Sequence, residues 1–244
     1  MSNDEIIARL KNDEDYYGEF GKQYLSNSKI DSLLNNPLSF NDESEKTSAF
    51  LVGGYLHTAI LEPNKLKKYK IIESSTRNTK AYKEMSGGEL CLLQHEVDKI
   101  DLMQERIMSN DVCNQLIRVG NVDYEVPNIA KIGSNVWKGK ADVINHDDGT
   151  IIDIKTTSNI SAFRSSAYRY NYDSQAYIYS ELFPGYSFTF LVIDKATLQL
   201  GIYDCSDTFL QSGMDKVERA NLNYDLFFKL GDNDPSQFLT TETL

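Results

Sequence analysis

Gly139-Lys140-Ala141-Asp142, followed by Ile151-Ile152-Asp153-Ile154-Lys155, is the stretch on which the fold turns. Trp137 to Ile144 alternates as a strand does, with Val136, Ala141, Val143 and Ile144 as its apolar members. His146-Asp147-Asp148-Gly149 carries the Asp-Gly chemistry of a hairpin turn, and Thr150 to Ile154 then returns antiparallel. Because side chains alternate along a strand, Asp153 and Lys155 share a face with Ile151, while Ile152 and Ile154 share the other. A carboxylate and an ammonium at the end of an apolar strand must pair or bind something, since an isolated buried charge is strongly unfavourable. Alone, Asp-x-Lys is the pattern of an ordinary strand-edge ion pair. Here it belongs to a longer series: Gly139-x-x-Asp142, the hairpin, the run Asp153-Ile154-Lys155-Thr156-Thr157, then Gln175 and Tyr179 on one face of a following helix.

In that order the series resembles the PD-(D/E)XK nuclease superfamily, and within it the RecB-like and RecE-like (phage lambda-type) exonucleases, which carry a His, Asp, Asp-x-Lys and Gln-x-x-x-Tyr. The upstream His is His57, in Phe50-Leu51-Val52-Gly53-Gly54-Tyr55-Leu56-His57-Thr58-Ala59-Ile60-Leu61-Glu62-Pro63. Ser26-Asn27-Ser28-Lys29-Ile30 and Asn36-Pro37 resemble the opening helix of the family, so the likeness spans roughly Ser26 to Tyr203. It implies an α/β fold with a central mixed sheet of about five strands flanked by helices, the site lying at one end of that sheet. It also implies a metal-dependent DNA exonuclease with Asp142, Asp153, Lys155, Gln175 and Tyr179 as catalytic residues. Oxygen ligands from Asp142, Asp153 and the main-chain carbonyl of Ile154 suit Mg²⁺ or Mn²⁺, and the His57 imidazole shifts preference toward Mn²⁺. Glu125, on the strand before the hairpin, is a further acidic candidate and equally reads as an exposed strand glutamate. Lys155 would hold or help deprotonate the attacking water, and Gln175 and Tyr179 would reach a phosphate or orient the lysine. A polar helix face packed by one tyrosine accounts for that last pair as well.

For the RecE-like group the resemblance further implies 5′ to 3′ resection of duplex ends in recombination or repair, a ring-shaped oligomer and a single-strand annealing partner. A single-strand or flap endonuclease on the same fold, and a binding module without activity, are the alternatives. The chain contains no Gly-x-x-x-x-Gly-Lys loop, so it is not itself an ATP-driven helicase.

Composition bounds the reading. The 244 residues suffice for one large core. No apolar run approaches the roughly 18 residues of a membrane span, and Met-Ser-Asn-Asp-Glu is too acidic for a signal peptide. A cytoplasmic protein, in a bacterial host if phage-encoded, is the expectation. Cys91, Cys113 and Cys205 are widely spaced and lack any Cys-x-x-Cys, so neither a disulfide framework, a zinc site nor a four-cysteine iron–sulfur cluster is expected. The net charge of -11 runs against phosphate binding, so charge distribution decides. Lys65, Lys67, Lys68, Lys70, Arg77, Lys80 and Lys83 form a basic stretch, and Arg164 and Arg169 interleave with Tyr168, Tyr170 and Tyr172, aromatics able to stack on unpaired bases. From these, Lys67, Lys68, Arg77, Lys80, Arg164 and Arg169 are candidate DNA contacts; a solvated surface is the competing reading of both groups.

Residues 1–25 read as a loose polar arm or docking segment, 26–230 as the nuclease domain and 231–244 as an acidic tail. Within the domain, helices are expected over Ser28 to Asn35, Thr47 to Leu61, Lys80 to Met85, Glu89 to Ser109, Ala162 to Tyr170, Ser174 to Leu182 and Leu210 to Leu230, with a charged loop over Asn41 to Lys46. Val122 to Ala130, Phe188 to Asp194 and Leu198 to Asp204 are the remaining strands, and His95 and His146 are left as surface residues.

Overall fold

Ile151, Ile152 and Ile154 are fully buried in the central strand of a five-stranded sheet, seen in a computed structural model that describes residues 1–42, 47–230 and 233–241. Part of the expected charged loop, 43–46, and of the expected tail, 231–232 and 242–244, lies outside the described residues. In chain order the elements are α1 (Asn3–Leu10), α2 (Asp13–Tyr17), α3 (Ile30–Asn35), α4 (Ser48–Leu61), β1 (Ile71–Ile72), α5 (Lys80–Ser86), β2 (Leu92–Leu93), α6 (Gln94–Met108) and α7 (Asp111–Arg118). Then follow β3 (Val122–Ile132), β4 (Asn135–Asn145), β5 (Thr150–Thr157), α8 (Phe163–Arg169), α9 (Tyr172–Leu182), β6 (Ser187–Asp194), β7 (Leu200–Asp204) and α10 (Asp207–Tyr224). The sheet order is β3-β4-β5-β6-β7, antiparallel throughout except for the parallel pair β5–β6, so the expected mixed α/β architecture is the one observed.

The alternation of apolar residues explains the two layers. Ile151, Phe188, Phe190 and Val192 face α9 and α10, where Ala176, Ile178, Leu182, Val217 and Ala220 meet them. Ile152, Ile154, Leu191 and Ile193 face the opposite way, onto Leu56, Ile60, Val97, Ile100 and Met103 of α4 and α6. Each such aliphatic side chain contributes roughly 1.5–3 kcal/mol by leaving water. Among the described residues no helix is long and apolar enough to cross a membrane.

Several elements depart from the sequence reading. The segment 1–25 is not loose: α1 and α2 are capped by Ser2 and Asn12, and Leu10 and Tyr16 are buried with Ile129 of β3. Its last residue, Leu25, bonds the edge of β4 that faces away from β3, donating to Val136 and accepting from Lys138. A small second sheet, β1 paired in parallel with β2, and helix α7 went unforeseen, and α6 begins five residues later than expected because β2 occupies the start of that run. The terminal helix ends at Tyr224 and passes into a π-type turn over Asp225–Lys229.

Candidate active site

The candidate site forms where β4 parts from β5. Their ladder holds only Val143, Ile144 and Asn145 against Ile152, Ile151 and Thr150, so β4 from Asp142 backward has no strand on that edge. Its backbone groups still need partners. Leu25 serves Val136 and Lys138; the Tyr179 hydroxyl accepts from Lys140 N–H at 3.1 Å and donates to Lys140 C=O at 2.8 Å. Across the gap, Ile154 N–H donates to the carboxylate of Asp142 at 2.9 Å instead of to a strand. On the other side of β4, Glu125 adopts a left-handed φ of 51° and drops out of the β3–β4 register between Tyr124 and Val126, turning out of the pleat level with Asp142.

Two clusters meet at this split. His57, presented by the last turns of α4, places Nδ1 3.2 Å from Asp142 Oδ2. Ligand atoms of His57, Glu125 and Asp142 all lie within 4.8 Å of one another, the one such His/Cys/Asp/Glu group among the described residues. Beside them, Asp153 is 3 % exposed. Its Oδ1 accepts from Gln175 Nε2 at 2.6 Å, and its Oδ2, buried and with no hydrogen-bond donor besides, stands 2.5 Å from Lys155 Nζ. Lys155 Nζ also lies 4.9 Å from the centre of the Tyr172 ring.

The opposite charges stabilise one another and the like ones compete. Burial opposes a charged His57, but Asp142 outweighs it and holds the imidazolium pKa at about 9. The same partner keeps Asp142 below the ordinary carboxylate range in spite of burial. Burial raises Asp153 against the pull of Lys155, and Asp153 and Asp142 hold Lys155 above its usual value although burial works the other way. Burial, reinforced by Asp142, pushes Glu125 up to about 7.

The structure thus brings His57, Glu125, Asp142, Asp153, Lys155 and Gln175 together. Asp153 stands beside the His57–Glu125–Asp142 group without belonging to it, and Ile154 is seen through its N–H bond to Asp142. Gln175 orients Asp153 rather than the lysine. Tyr179, expected to reach a phosphate or orient Lys155, is 7 % exposed and spends its hydroxyl on the Lys140 backbone, so it latches α9 to β4. That latch explains Gly139: a Cβ there would stand 2.6 Å from Leu182 Cδ1 and 2.9 Å from the Tyr179 ring. Gly139→Ala is therefore expected to cost about 1–3 kcal/mol through overpacking, read as a lower urea midpoint at unchanged slope.

Lys140, two residues before Asp142, was missed as a distinct feature. Its ammonium pairs with Asp13 at 2.6 Å and lies 4.5 Å from the Tyr16 ring centre, tying α2 to the site strand. Its neighbour on the same face, Lys138, bonds the Tyr16 carbonyl; burial, aided by Lys140, lowers its pKa to about 8. His95 is exposed as expected, whereas His146 is half-buried between Tyr186 Oη at 2.7 Å and Asp123 at 3.0 Å.

Of the basic candidates, Lys67, Lys68, Lys80, Arg164 and Arg169 are exposed. Lys80 stands 3.7 Å from Glu84. Arg77 is committed elsewhere: it donates to both oxygens of Glu96, at 2.9 and 2.6 Å, and to the Cys91 carbonyl, closing the β1–β2 lobe. Although burial works against it, Arg77 lowers the Glu96 pKa, so the contribution is present above the ordinary Glu value of 4.5 and is lost as pH falls through the depressed one. Arg77→Ala is expected to cost about 1–3 kcal/mol near neutrality, with the gap to wild type narrowing in acid and DNA affinity unchanged. Urea titrations across pH and an anisotropy titration check the two parts.

A five-stranded mixed sheet split beside Asp142, with Asp153-x-Lys155 on the neighbouring strand, is a PDDEXK-like arrangement. Residues 31–235 match the family described as "PDDEXK-like domain of unknown function" (DUF3799), and the chain belongs to that family. None of the curated proteins matches the sequence. The crystal structure of a "Putative exonuclease" from Eubacterium rectale superposes with a TM-score of 0.65 at 17% identity, covering 96% of this chain and 95% of that one, which shows a common fold. A phage related exonuclease from Haemophilus somnus 129PT aligns over 83% of this chain and 93% of its own, at 13% identity and a TM-score of 0.35.

Proposed function

We propose that the chain is a deoxyribonuclease that hydrolyses phosphodiester bonds with a divalent cation, Mg²⁺ or Mn²⁺. The observation that carries this reading is the convergence of His57, Glu125 and Asp142 within 4.8 Å, beside the Asp153–Lys155 pair. The donors fit such an ion: carboxylate oxygens with one imidazole suit a hard to borderline cation, and the buried Asp153 Oδ2 has an acceptor's lone pairs to spare. His57, Glu125 and Asp142 would hold it, with Asp153 and the Ile154 carbonyl adjoining. When bound, the cation supplies a lowered pKa for water and neutralises charge on the phosphate.

The remaining residues do the rest. Lys155 sets an ammonium beside the transferring phosphate and holds the attacking water, a task suited to a compact charge on a flexible stem. Gln175 fixes the rotamer of Asp153 through their 2.6 Å bond. Attack at DNA ends is supported by the sequence resemblance and by the name of the Eubacterium rectale neighbour. The 5′ to 3′ direction, a part in phage-type recombination or repair, an annealing partner and a ring-shaped oligomer rest on the resemblance to RecE-like enzymes. A flap endonuclease would need the same residues; the complete set Asp142, Asp153 and Lys155 speaks against a binding module without activity.

The cation is tested by thermal unfolding. At an ion concentration about 100 times its dissociation constant, Mn²⁺ or Mg²⁺ is expected to stabilise the folded chain by about 2.7 kcal/mol, reversibly removed by chelation. Unchanged melting in both metals, with no heat on calorimetric titration, would remove the cation from the account.

A further inference from the structure

The tyrosines that follow β5 have different destinations. Tyr168 packs its ring edge-on against Phe209 of α10, with centroids 5.0 Å apart. Tyr172 lies between Phe163 and Phe190 and turns its ring toward Lys155. Tyr170 is left 55 % exposed, its ring 6.0 Å from that of Tyr172. Arg169 sits over the Tyr170 ring at 4.8 Å and donates to its hydroxyl at 2.9 Å. From Lys155 outward the order is therefore ammonium, half-buried ring, exposed ring, guanidinium.

The turn that presents this pair is built to hold still. Asn171, at left-handed φ of 57°, is fixed by Lys216, whose ammonium donates at 2.8 Å to Tyr168 C=O, to Asn171 Oδ1 and to Asp173 Oδ1. Asp173 is fully buried and also accepts from Ser212 at 2.6 Å, and the Asn171 carbonyl accepts from Asn27 and Ser174. Nothing in the core requires an exposed aromatic at the end of this rigid turn. A π-face beside a planar cation, one ring away from the lysine that would face the phosphate, matches the two parts of a nucleotide.

Resting on the nuclease reading above, we infer that Tyr170 and Arg169 form the seat of the nucleotide flanking the scissile phosphate, with its base stacked on the Tyr170 ring and its phosphate on the Arg169 guanidinium. Tyr172 is the wall between that seat and Lys155.

The test pairs Tyr170→Ala and Tyr170→Phe with duplex oligonucleotides carrying one abasic residue, moved stepwise along each side of the scissile bond. Full-length protein is used, with KM and kcat read in Mg²⁺ and binding read by fluorescence anisotropy in Ca²⁺, so that the seat is measured even without turnover. In wild type, one flanking position should show a roughly tenfold loss of affinity when its base is missing, within the range of base–aromatic stacking. Tyr170→Ala should show that loss with the intact oligonucleotide and none further with the abasic one; Tyr170→Phe should behave as wild type. A Tyr170→Ala variant binding within twofold of wild type, or one that keeps the full abasic penalty, overturns the seat. Wild-type protein that binds with this pattern and cleaves nothing would instead overturn the nuclease reading.

Discussion

Lys155→Ala is expected to lower the turnover of DNA cleavage by about 10²–10⁴-fold, the range for a positioned acid–base group, while leaving cation affinity nearly unchanged. The ammonium is 2.5 Å from Asp153 and is held charged by Asp153 and Asp142, so in the proposed reaction it would supply positive charge beside the phosphate without being a ligand. Its loss therefore falls on kcat. Removing it also leaves the Asp153 carboxylate, 3 % exposed, with Gln175 as its hydrogen-bond partner, so some destabilisation accompanies the kinetic effect. Lys155→Arg should not rescue: a guanidinium can keep the carboxylate and the Tyr172 ring as neighbours, but it is not the compact, titratable donor that holding the attacking water requires. Single-turnover cleavage rates, with cation binding measured separately by calorimetry, check both halves.

Asp142→Ala is expected to abolish both cation binding and cleavage. Asp142 is the point at which the site's parts converge: it accepts from Ile154 N–H, stands 3.2 Å from His57, and lies within ligand distance of Glu125. Without it the Ile154 N–H at the β4–β5 gap loses its acceptor, so a stability loss of about 1–3 kcal/mol should accompany inactivity. Asp142→Asn keeps an acceptor for Ile154 and removes the charge. It should restore most of the stability and none of the cleavage, which separates folding from chemistry.

The hairpin was legible because its chemistry is local. Alternating Ile151–Ile154, an Asp-Gly turn and the preceding apolar strand fix β4 and β5 without reference to the rest of the chain, and long apolar spacing does the same for α4, α6 and α10. Two-residue strands such as β1 and β2 contain no period to read. The arm was misread for a different reason. Its apolar residues are few and divided between α1 and α2, although the Ser2-x-x-Glu5 capping box was there to be seen and Leu10 follows Ile6 by one turn.

Within the site, the identity of the charged residues was legible and their division of labour was not. Gln175 and Tyr179 share a helix face, as their spacing requires, yet one meets a carboxylate and the other a backbone. What separates them is the point at which β4 leaves β5, and that depends on Leu25, more than a hundred residues earlier, taking the vacated edge. The same non-locality left Glu125 open between a site residue and an exposed strand glutamate, since only its left-handed φ brings its carboxylate to His57 and Asp142, and it hid the role of Arg77, whose partner Glu96 stands on another element. Lys140 was in plain view between Gly139 and Asp142, but only the fold of the arm gives it Asp13.

The central claim is that this cluster hydrolyses DNA with a divalent cation, and the most direct test is one cleavage assay on end-labelled linear duplex and covalently closed circle. Wild type, Asp142→Ala and Lys155→Ala are compared in Mg²⁺, in Mn²⁺ and in chelator. The account predicts that wild type degrades the linear duplex in either metal, spares the circle, stops in chelator, and that both variants are inactive while remaining folded. Cleavage that persists in chelator or in the variants, or a wild type inert on both substrates in both metals, would contradict it.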